Sequence, residues 1–194
     1  MATGVRDRMV AGAARLLARR GLQATSFSSV LAETNSPRGS IYHHFPGGKD
    51  ELVAAAIEAT QQHALGLLDQ QMGAPALEVT RSFLAAWRAL LTGAHFDAGC
   101  AFVAVTVAAE TDALRQRTAE AFRAWQVKLA RALRAGGLAA SDAESAAALL
   151  LSASEGAVVI CRAQQDIRPF DIVAAQLTEY VRLLAAGAVS ASPS

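Results

Sequence analysis

Ser36-Pro37-Arg38-Gly39-Ser40-Ile41-Tyr42-His43-His44-Phe45, followed by Pro46-Gly47-Gly48-Lys49-Asp50-Glu51-Leu52, is the stretch on which the fold turns. A serine hydroxyl can accept from one of the unpaired N–H groups that open a helix, and proline suits the first helical position. The letters therefore place a cap at Ser36 and a helix start at Pro37. Arg38, Gly39, Ser40, Tyr42 and His43 then supply a cation, a gap, a hydroxyl, a phenol and an imidazole within two turns, groups suited to phosphates and base edges. Ile41 and Phe45 lie four apart and share one face, which can pack inward. Gly47 and Gly48 break the chain. Lys49-Asp50-Glu51-Leu52 then opens another helix, whose acids complement the dipole and whose Lys49 and free N–H groups can hold a phosphate.

Upstream, Val10, Ala13, Ala14 and Leu17 recur at helical spacing from about Thr3 to Arg20, and Gly21 offers a left-handed C-cap. Between Thr25 and Thr34 a second stripe of Phe27, Val30 and Leu31 follows several candidate caps. Asn35 tolerates the left-handed conformation that would set the third helix across the second.

From about Arg6 to Leu52, positioning helix, turn, recognition helix and Tyr-His-His-Phe with a following Lys occur in register. In this the chain resembles the DNA-binding head of the TetR family of bacterial transcription regulators. The resemblance implies base or nearby backbone contacts from Arg38, Ser40 and His43, phosphate contacts from Tyr42 and Lys49, and close approach at Gly39. It departs from the family's usual pattern at Asn35-Ser36-Pro37, where Gly and then an apolar residue commonly precede a Ser or Thr cap. The Pro-Arg-Gly-Ser and Pro-Gly-Gly-Lys of the head, with Gly99-Cys100, are similar to a subgroup that includes repressors of multidrug or lincomycin efflux and flavonoid-responsive regulators. That likeness implies an aromatic or amphiphilic effector.

With 194 residues, 53% of them apolar, the chain can bury a core large enough for a small head and a larger body. The net charge of +1 excludes a non-specific polycation: residues 1–60 hold seven Lys or Arg against five Asp or Glu, the remainder eleven against twelve. A local patch of Arg6, Arg8, Arg38, Lys49 and the histidines stays compatible with nucleic acid. The first twenty residues carry Arg6, Asp7, Arg8 and Arg15 without the apolar core of a signal peptide, and apolar runs such as 99–109 and 146–151 are shorter than the ~20 residues of a spanning helix. A soluble cytoplasmic protein with no membrane partner is expected.

Beyond Thr60, helical periods broken at Gly73-Ala74-Pro75, Thr92-Gly93-Ala94, Gly136-Gly137 and Arg168-Pro169 predict helices over about 48–71, 75–91, 100–109, 111–135, 141–162 and 170–186. Phe102-Val103-Ala104-Val105-Thr106-Val107 has strand propensity but no pairing partner, and reads as a short buried helix. The fold class is all-α. A three-helix helix-turn-helix head over 1–48 is expected to precede a helical effector-binding and dimerisation bundle over 49–189, with a flexible tail at 190–194. Leu149, Leu150, Ala153, Ala157 and Ile160, then Ile172, Val173, Leu177, Tyr180, Val181 and Leu184, form two broad apolar stripes. Either they close one internal core or, as the resemblance implies, they contribute to a two-fold four-helix interface. Such a homodimer would set two recognition helices on successive major grooves of a roughly palindromic operator in double-stranded DNA.

A ligand cavity would draw on Phe83, Trp87, Phe96, Phe102, Phe122 and Trp125, with His63, Arg88, Cys100 and Glu155 as polar candidates. At helical spacing such aromatics are more often plain core. The preferred effector set is Phe83, Trp87, Cys100, Phe102, Trp125 and Glu155. Glu155 is the unusual member because Ser152, Ala153, Ser154 and Gly156 around it imply partial burial. Cys100 and Cys161 sit in apolar surroundings and read as reduced thiols, although Arg162 beside Cys161 leaves a redox role open. His43 and His44 are adjacent, not at the i, i+4 spacing of a helical metal site, so neither metal nor cofactor is expected. No catalytic triad, paired-carboxylate motif, P-loop or dinucleotide fingerprint occurs. The expected protein is thus a repressor released from DNA by a small apolar or aromatic molecule. The alternatives are an all-α carrier or enzyme without a DNA target, and a helical interaction module.

Overall fold

The computed structural model describes residues 4–190. Among these, nine helices and no strand occur: α1 (Val5–Ala24), α2 (Phe27–Thr34), α3 (Arg38–His44), α4 (Lys49–Asp69), α5 (Ala76–Gly93), α6 (Ala101–Thr106), α7 (Asp112–Ala135), α8 (Ala140–Gln164) and α9 (Arg168–Ser190). The all-α reading therefore holds, and residues 102–106 take the helical alternative over their strand propensity. Thr3 and residues 191–194 of the expected tail lie outside the described residues.

The chain divides into two compact units. Among the described residues, one comprises 4–63 with 100–122, the other 64–99 with 123–190. The first thus holds more than the expected head of 1–48: it takes in most of α4, all of α6 and the start of α7.

In the first unit, α1 packs against α2, α3 and α6. Met9, Ala13 and Leu17 of α1, Val30 of α2, Ile41 of α3 and Val105 of α6 have no exposed surface. Each large side chain so buried contributes about 1.5–3 kcal/mol. α1 does not end at Arg20. Gly21 (φ 77°, ψ −180°) kinks it, and a further turn reaches Ala24. That backbone pair is open to glycine alone, and it is not the left-handed helical cap the letters suggested. The buried Thr25 hydroxyl donates to the Gly21 carbonyl at 2.8 Å and holds the corner.

In the second unit α5, α8 and α9 pack on one another through Leu91, Leu150, Ala157, Phe170 and Val181, all at most 2% exposed. Gly136 closes the α7–α8 connection against the start of α5. Its carbonyl accepts from Ala76 N–H at 2.9 Å, and a Cβ there would lie 2.5 Å from backbone atoms of Ala74 and Ala76. By length and composition α8 is apolar enough to cross a membrane, contrary to the expectation that no stretch qualifies. Its inner side packs on α5 and α9, so the buried part of its apolar surface serves the core of this unit.

Candidate nucleic-acid interface

The site begins with a firm entry into α2. Ser26 accepts from Ser29 N–H at 3.1 Å, and Ser29 Oγ accepts from Ser26 N–H at 2.8 Å, a reciprocal cap. At its other end Asn35 adopts the left-handed conformation (φ 48°, ψ 45°), as its side chain permits. Ser36 N–H then closes onto the Leu31 carbonyl at 3.1 Å.

The predicted cap at Ser36 is corrected: Pro37 (φ −63°, ψ 137°) is itself the N-cap, and α3 starts at Arg38. The physical reason is local competition. Ser36 Oγ sits 2.9 Å from the Thr34 hydroxyl, within the turn, and caps nothing in α3. The Pro37 carbonyl instead accepts from Ser40 N–H at 3.1 Å and from the Ser40 hydroxyl at 2.7 Å.

α3 is held from behind by Ile41 and Phe45, both with no exposed surface. The Arg6 guanidinium lies 5.2 Å from the Phe45 ring centroid and covers its face. In front, Arg38, Gly39, Tyr42 and His43 are exposed, while Ser40 and Lys49 are half-buried. Arg38 and Lys49 make no hydrogen bond or ion pair with any described residue. A Cβ on Gly39 would meet nothing within 4 Å, so the fold itself does not require glycine there. Tyr42 is 68% exposed, yet its ring stands edge-on to Phe27 at 5.4 Å, which fixes the direction of the phenol. Ser40 has spent its proton on Pro37 and offers lone pairs only.

α4 opens beside this face. Gly48 has φ 83°, and the Glu51 carboxylate accepts from Gly47 N–H at 2.7 Å, which leaves the N–H groups of the first helical turn for another acceptor. Two further bonds tie the α6–α7 connection to the same unit. Gln23 donates to Glu110 at 3.4 Å, and the Thr111 hydroxyl to Asp50 at 3.2 Å.

Of the six residues assigned to an effector, the structure brings three together. Trp125 of α7 lies 5.9 Å from Phe83 and 5.7 Å from Trp87, both on α5. Glu155 is half-buried on α8 of the same unit. Phe102 belongs to the first unit, where it stands edge-on to Phe122 at 5.4 Å, and Cys100 is the half-buried N-cap of α6. His63 is exposed, and Arg88 is committed to Asp171 by two bonds of 2.9 and 3.2 Å. Trp87 Nε1 and Ser154 Oγ are buried without a hydrogen-bond partner among the described residues. Neither orphan is legible in the amino-acid letters, since only the tertiary packing withdraws a partner. Cys161 is fully buried, its thiol 3.8 Å from the Ile167 carbonyl, and burial pushes its pKa up. That is the opposite of what a reactive thiol needs.

Residues 9–56 match the family of bacterial regulatory proteins designated tetR, and residues 76–176 match the C-terminal domain of LmrA/YxaF-like transcriptional regulators. An HTH-type transcriptional regulator of Mycobacterium tuberculosis is 35% identical over 181 residues, covering 90% of this chain and 92% of the relative. LmrA of Bacillus subtilis, another HTH-type transcriptional regulator, is 23% identical, with 84% and 89% covered. Among solved structures, a TetR transcriptional regulator from Legionella pneumophila superposes with a TM-score of 0.81 at 20% identity, covering 91% of this chain and 97% of the other. A regulatory protein TetR from Rhodobacter sphaeroides gives 0.79 at 22% identity, with 89% and 96% covered.

Proposed function

Since this chain belongs to the TetR family and is a helix-turn-helix transcriptional regulator, we propose that it represses its target by holding a palindromic operator as a homodimer and is released by a small apolar or aromatic molecule. Regulators of this family bind operator DNA, act as dimers and are not enzymes, so the carrier and enzyme alternatives lose their support. Residues 1–48 form the DNA-binding part and 49–189 the effector and dimerisation part of a cytoplasmic protein. In the operator complex Arg38, Ser40 and His43 face base edges or the nearby backbone, Ser40 as an acceptor. Tyr42 and Lys49 hold phosphates, and Gly39 lets the backbone approach.

The observation that carries this reading is the two-sidedness of α3: Ile41 and Phe45 are wholly buried, while the Arg38 guanidinium is exposed and unengaged. The dimer reading draws on the outer faces of α8 and α9, where Leu149, Val159, Ile160, Ile172 and Leu183 are 43–66% exposed. Such a row of large apolar groups lowers its free energy against a second copy. Leu150, Ala157, Leu177 and Val181, also assigned to those stripes, instead face the core of their own protomer.

The effector reading draws on the Phe83–Trp87–Trp125 cluster and the two buried donors, Trp87 Nε1 and Ser154 Oγ. A buried donor without an acceptor costs about 1–3 kcal/mol. A ligand with an aromatic body and an acceptor oxygen would relieve that cost only in the state that admits it. This is the unequal affinity for two states that regulation requires.

Fluorescence anisotropy against DNA flanking the protein's own gene, at two salt concentrations with unrelated competitor DNA, tests the reading. Arg38→Ala is expected to cost about 1–3 kcal/mol of operator affinity, and Lys49→Ala to lower the salt slope by about one contact, both without change in fold. Unaltered operator binding in both variants would refute the assignment.

A further inference from the structure

We propose a second ligand site, separate from the aromatic cluster, in the groove between α5 and α9: a docking site for a small amphipathic monocarboxylate anchored by Arg81. The groove is open to solvent and holds about 460 Å³, within the range of roughly 300–1,000 Å³ typical of small-molecule sites. Leu84 and Phe170, 5% and 1% exposed, form an apolar floor. Thr178 adds no donor, because its hydroxyl is already bonded to the Ala174 carbonyl at 2.8 Å.

Charge decides the occupant. Three guanidinium groups line the groove, those of Arg81, Arg88 and Arg182. Arg88 is neutralised by Asp171 through bonds of 2.9 and 3.2 Å, and Arg182 by Glu179 through bonds of 2.7 and 2.6 Å. These bonds hold the guanidinium pKa values of both arginines up. Arg81 has no carboxylate or other hydrogen-bond partner among the described residues. On α5 it sits seven residues before Arg88, two helical turns along the same face, and on α9 Phe170, Ala174, Thr178 and Arg182 recur every four residues. The groove therefore presents one uncompensated fork of donors above an apolar floor, flanked by two closed ion pairs.

A carboxylate fits that fork with two parallel bonds, and its apolar body lies over Leu77, Ala85 and Ala174, which keep exposed surface above the buried Leu84 and Phe170. The carboxylates of Asp171 and Glu179 disfavour a second negative charge, and the guanidinium groups disfavour a cation. Hence the ligand is a monoanion with an alkyl or aryl body. The site does not rest on the DNA-binding reading.

The test is an amide NMR titration of the ¹⁵N-labelled full-length protein with 1-naphthaleneacetate and with its neutral counterpart 1-naphthaleneacetamide. The acid is expected to shift amides of residues 77–88 and 170–182 and to bind about fivefold more tightly than the amide, a modest ratio because the pair is exposed. Arg81→Gln should abolish that ratio while circular dichroism stays unchanged, and Arg81→Lys should retain part of it. Equal affinities for acid and amide overturn the proposal, as does an undiminished ratio in Arg81→Gln. Shifts confined to the indole N–H signals of Trp87 and Trp125 would assign the acid to the aromatic cluster instead. No shift on α5 and α9 at millimolar probe, the outcome if a partner protomer fills the groove, also overturns it.

Discussion

Replacing Ser154 by alanine is expected to stabilise the protein, against the usual sign for a change at a wholly buried position. Ser154 has 0% exposure in the middle of α8, and its hydroxyl finds no acceptor or donor among the described residues. Burying an unpaired hydroxyl costs about 1–3 kcal/mol, and alanine adds a few tenths of a kcal/mol of helix propensity. The loss is one oxygen's worth of contact, less than a methylene, or somewhat under ~1 kcal/mol. The balance favours alanine by about 1–2 kcal/mol. For a domain of this size 1 kcal/mol moves the midpoint by roughly 2–4 °C, so Ser154→Ala should melt about 2–8 °C higher. Calorimetry or urea titration of both proteins at the same protomer concentration makes the comparison, because dimerisation makes the midpoint concentration-dependent. A lower midpoint for the variant would show that the hydroxyl has a partner, such as an ordered water. No orphaned donor would then await an acceptor-bearing ligand there.

Gly39→Ala should leave the melting temperature within about 1 °C, since its Cβ meets nothing inside the protein, while operator affinity measured by anisotropy falls. Equal affinity would mean that α3 does not approach DNA closely at that point. Gly136→Ala should cost about 2–3 kcal/mol in urea titration, because its Cβ would lie 2.5 Å from the Ala74 carbonyl and Ala76 nitrogen, where only backbone could yield. A loss below ~0.5 kcal/mol would mean that the α7–α8 connection shifts freely. Native Cys161 should resist alkylation until the protein unfolds, since its thiol is buried and its pKa raised, and mass spectrometry of labelled peptides reads this directly. A thiol with a raised folded pKa contributes stability below its unfolded value and loses it as pH rises through the folded one. Stability should therefore fall off in strongly alkaline buffer.

The head was legible because its determinants are short-range. Asn35 is a residue that tolerates the left-handed turn, and the four-residue spacing of Ile41 and Phe45 fixes the buried side of α3. The cap was misplaced by one residue because two neighbouring hydroxyls, Thr34 and Ser36, satisfied each other, a choice that identical letters leave open. In the body the letters fail where partners are distant. Phe83 and Trp87 share a face of α5 by spacing alone, but only packing brings Trp125 to them and puts Phe102 with Phe122 instead. Arg81 and Arg88 look alike in sequence. Asp171, 83 residues beyond Arg88, closes one and leaves the other open.

The bonds of the first unit bear on how a signal reaches α3. The recognition helix does not belong to a free-standing three-helix module. α6 packs along α1, Gln23 holds Glu110, and Asp50 at the start of α4 holds Thr111. α7 begins at Asp112, immediately after that tie, and Trp125 is a later residue of the same helix. On the proposed reading, this tie reaches the first turn of α4, where Asp50 is the neighbour of the phosphate-facing Lys49. Cutting that tie separates transmission from binding. In Thr111→Val the hydroxyl bond to Asp50 is lost while Trp125 and α3 are untouched. Ligand affinity read by tryptophan fluorescence and operator affinity read by anisotropy should each persist, while the ligand-induced loss of DNA binding shrinks. Full induction in this variant would place the route in α4 alone.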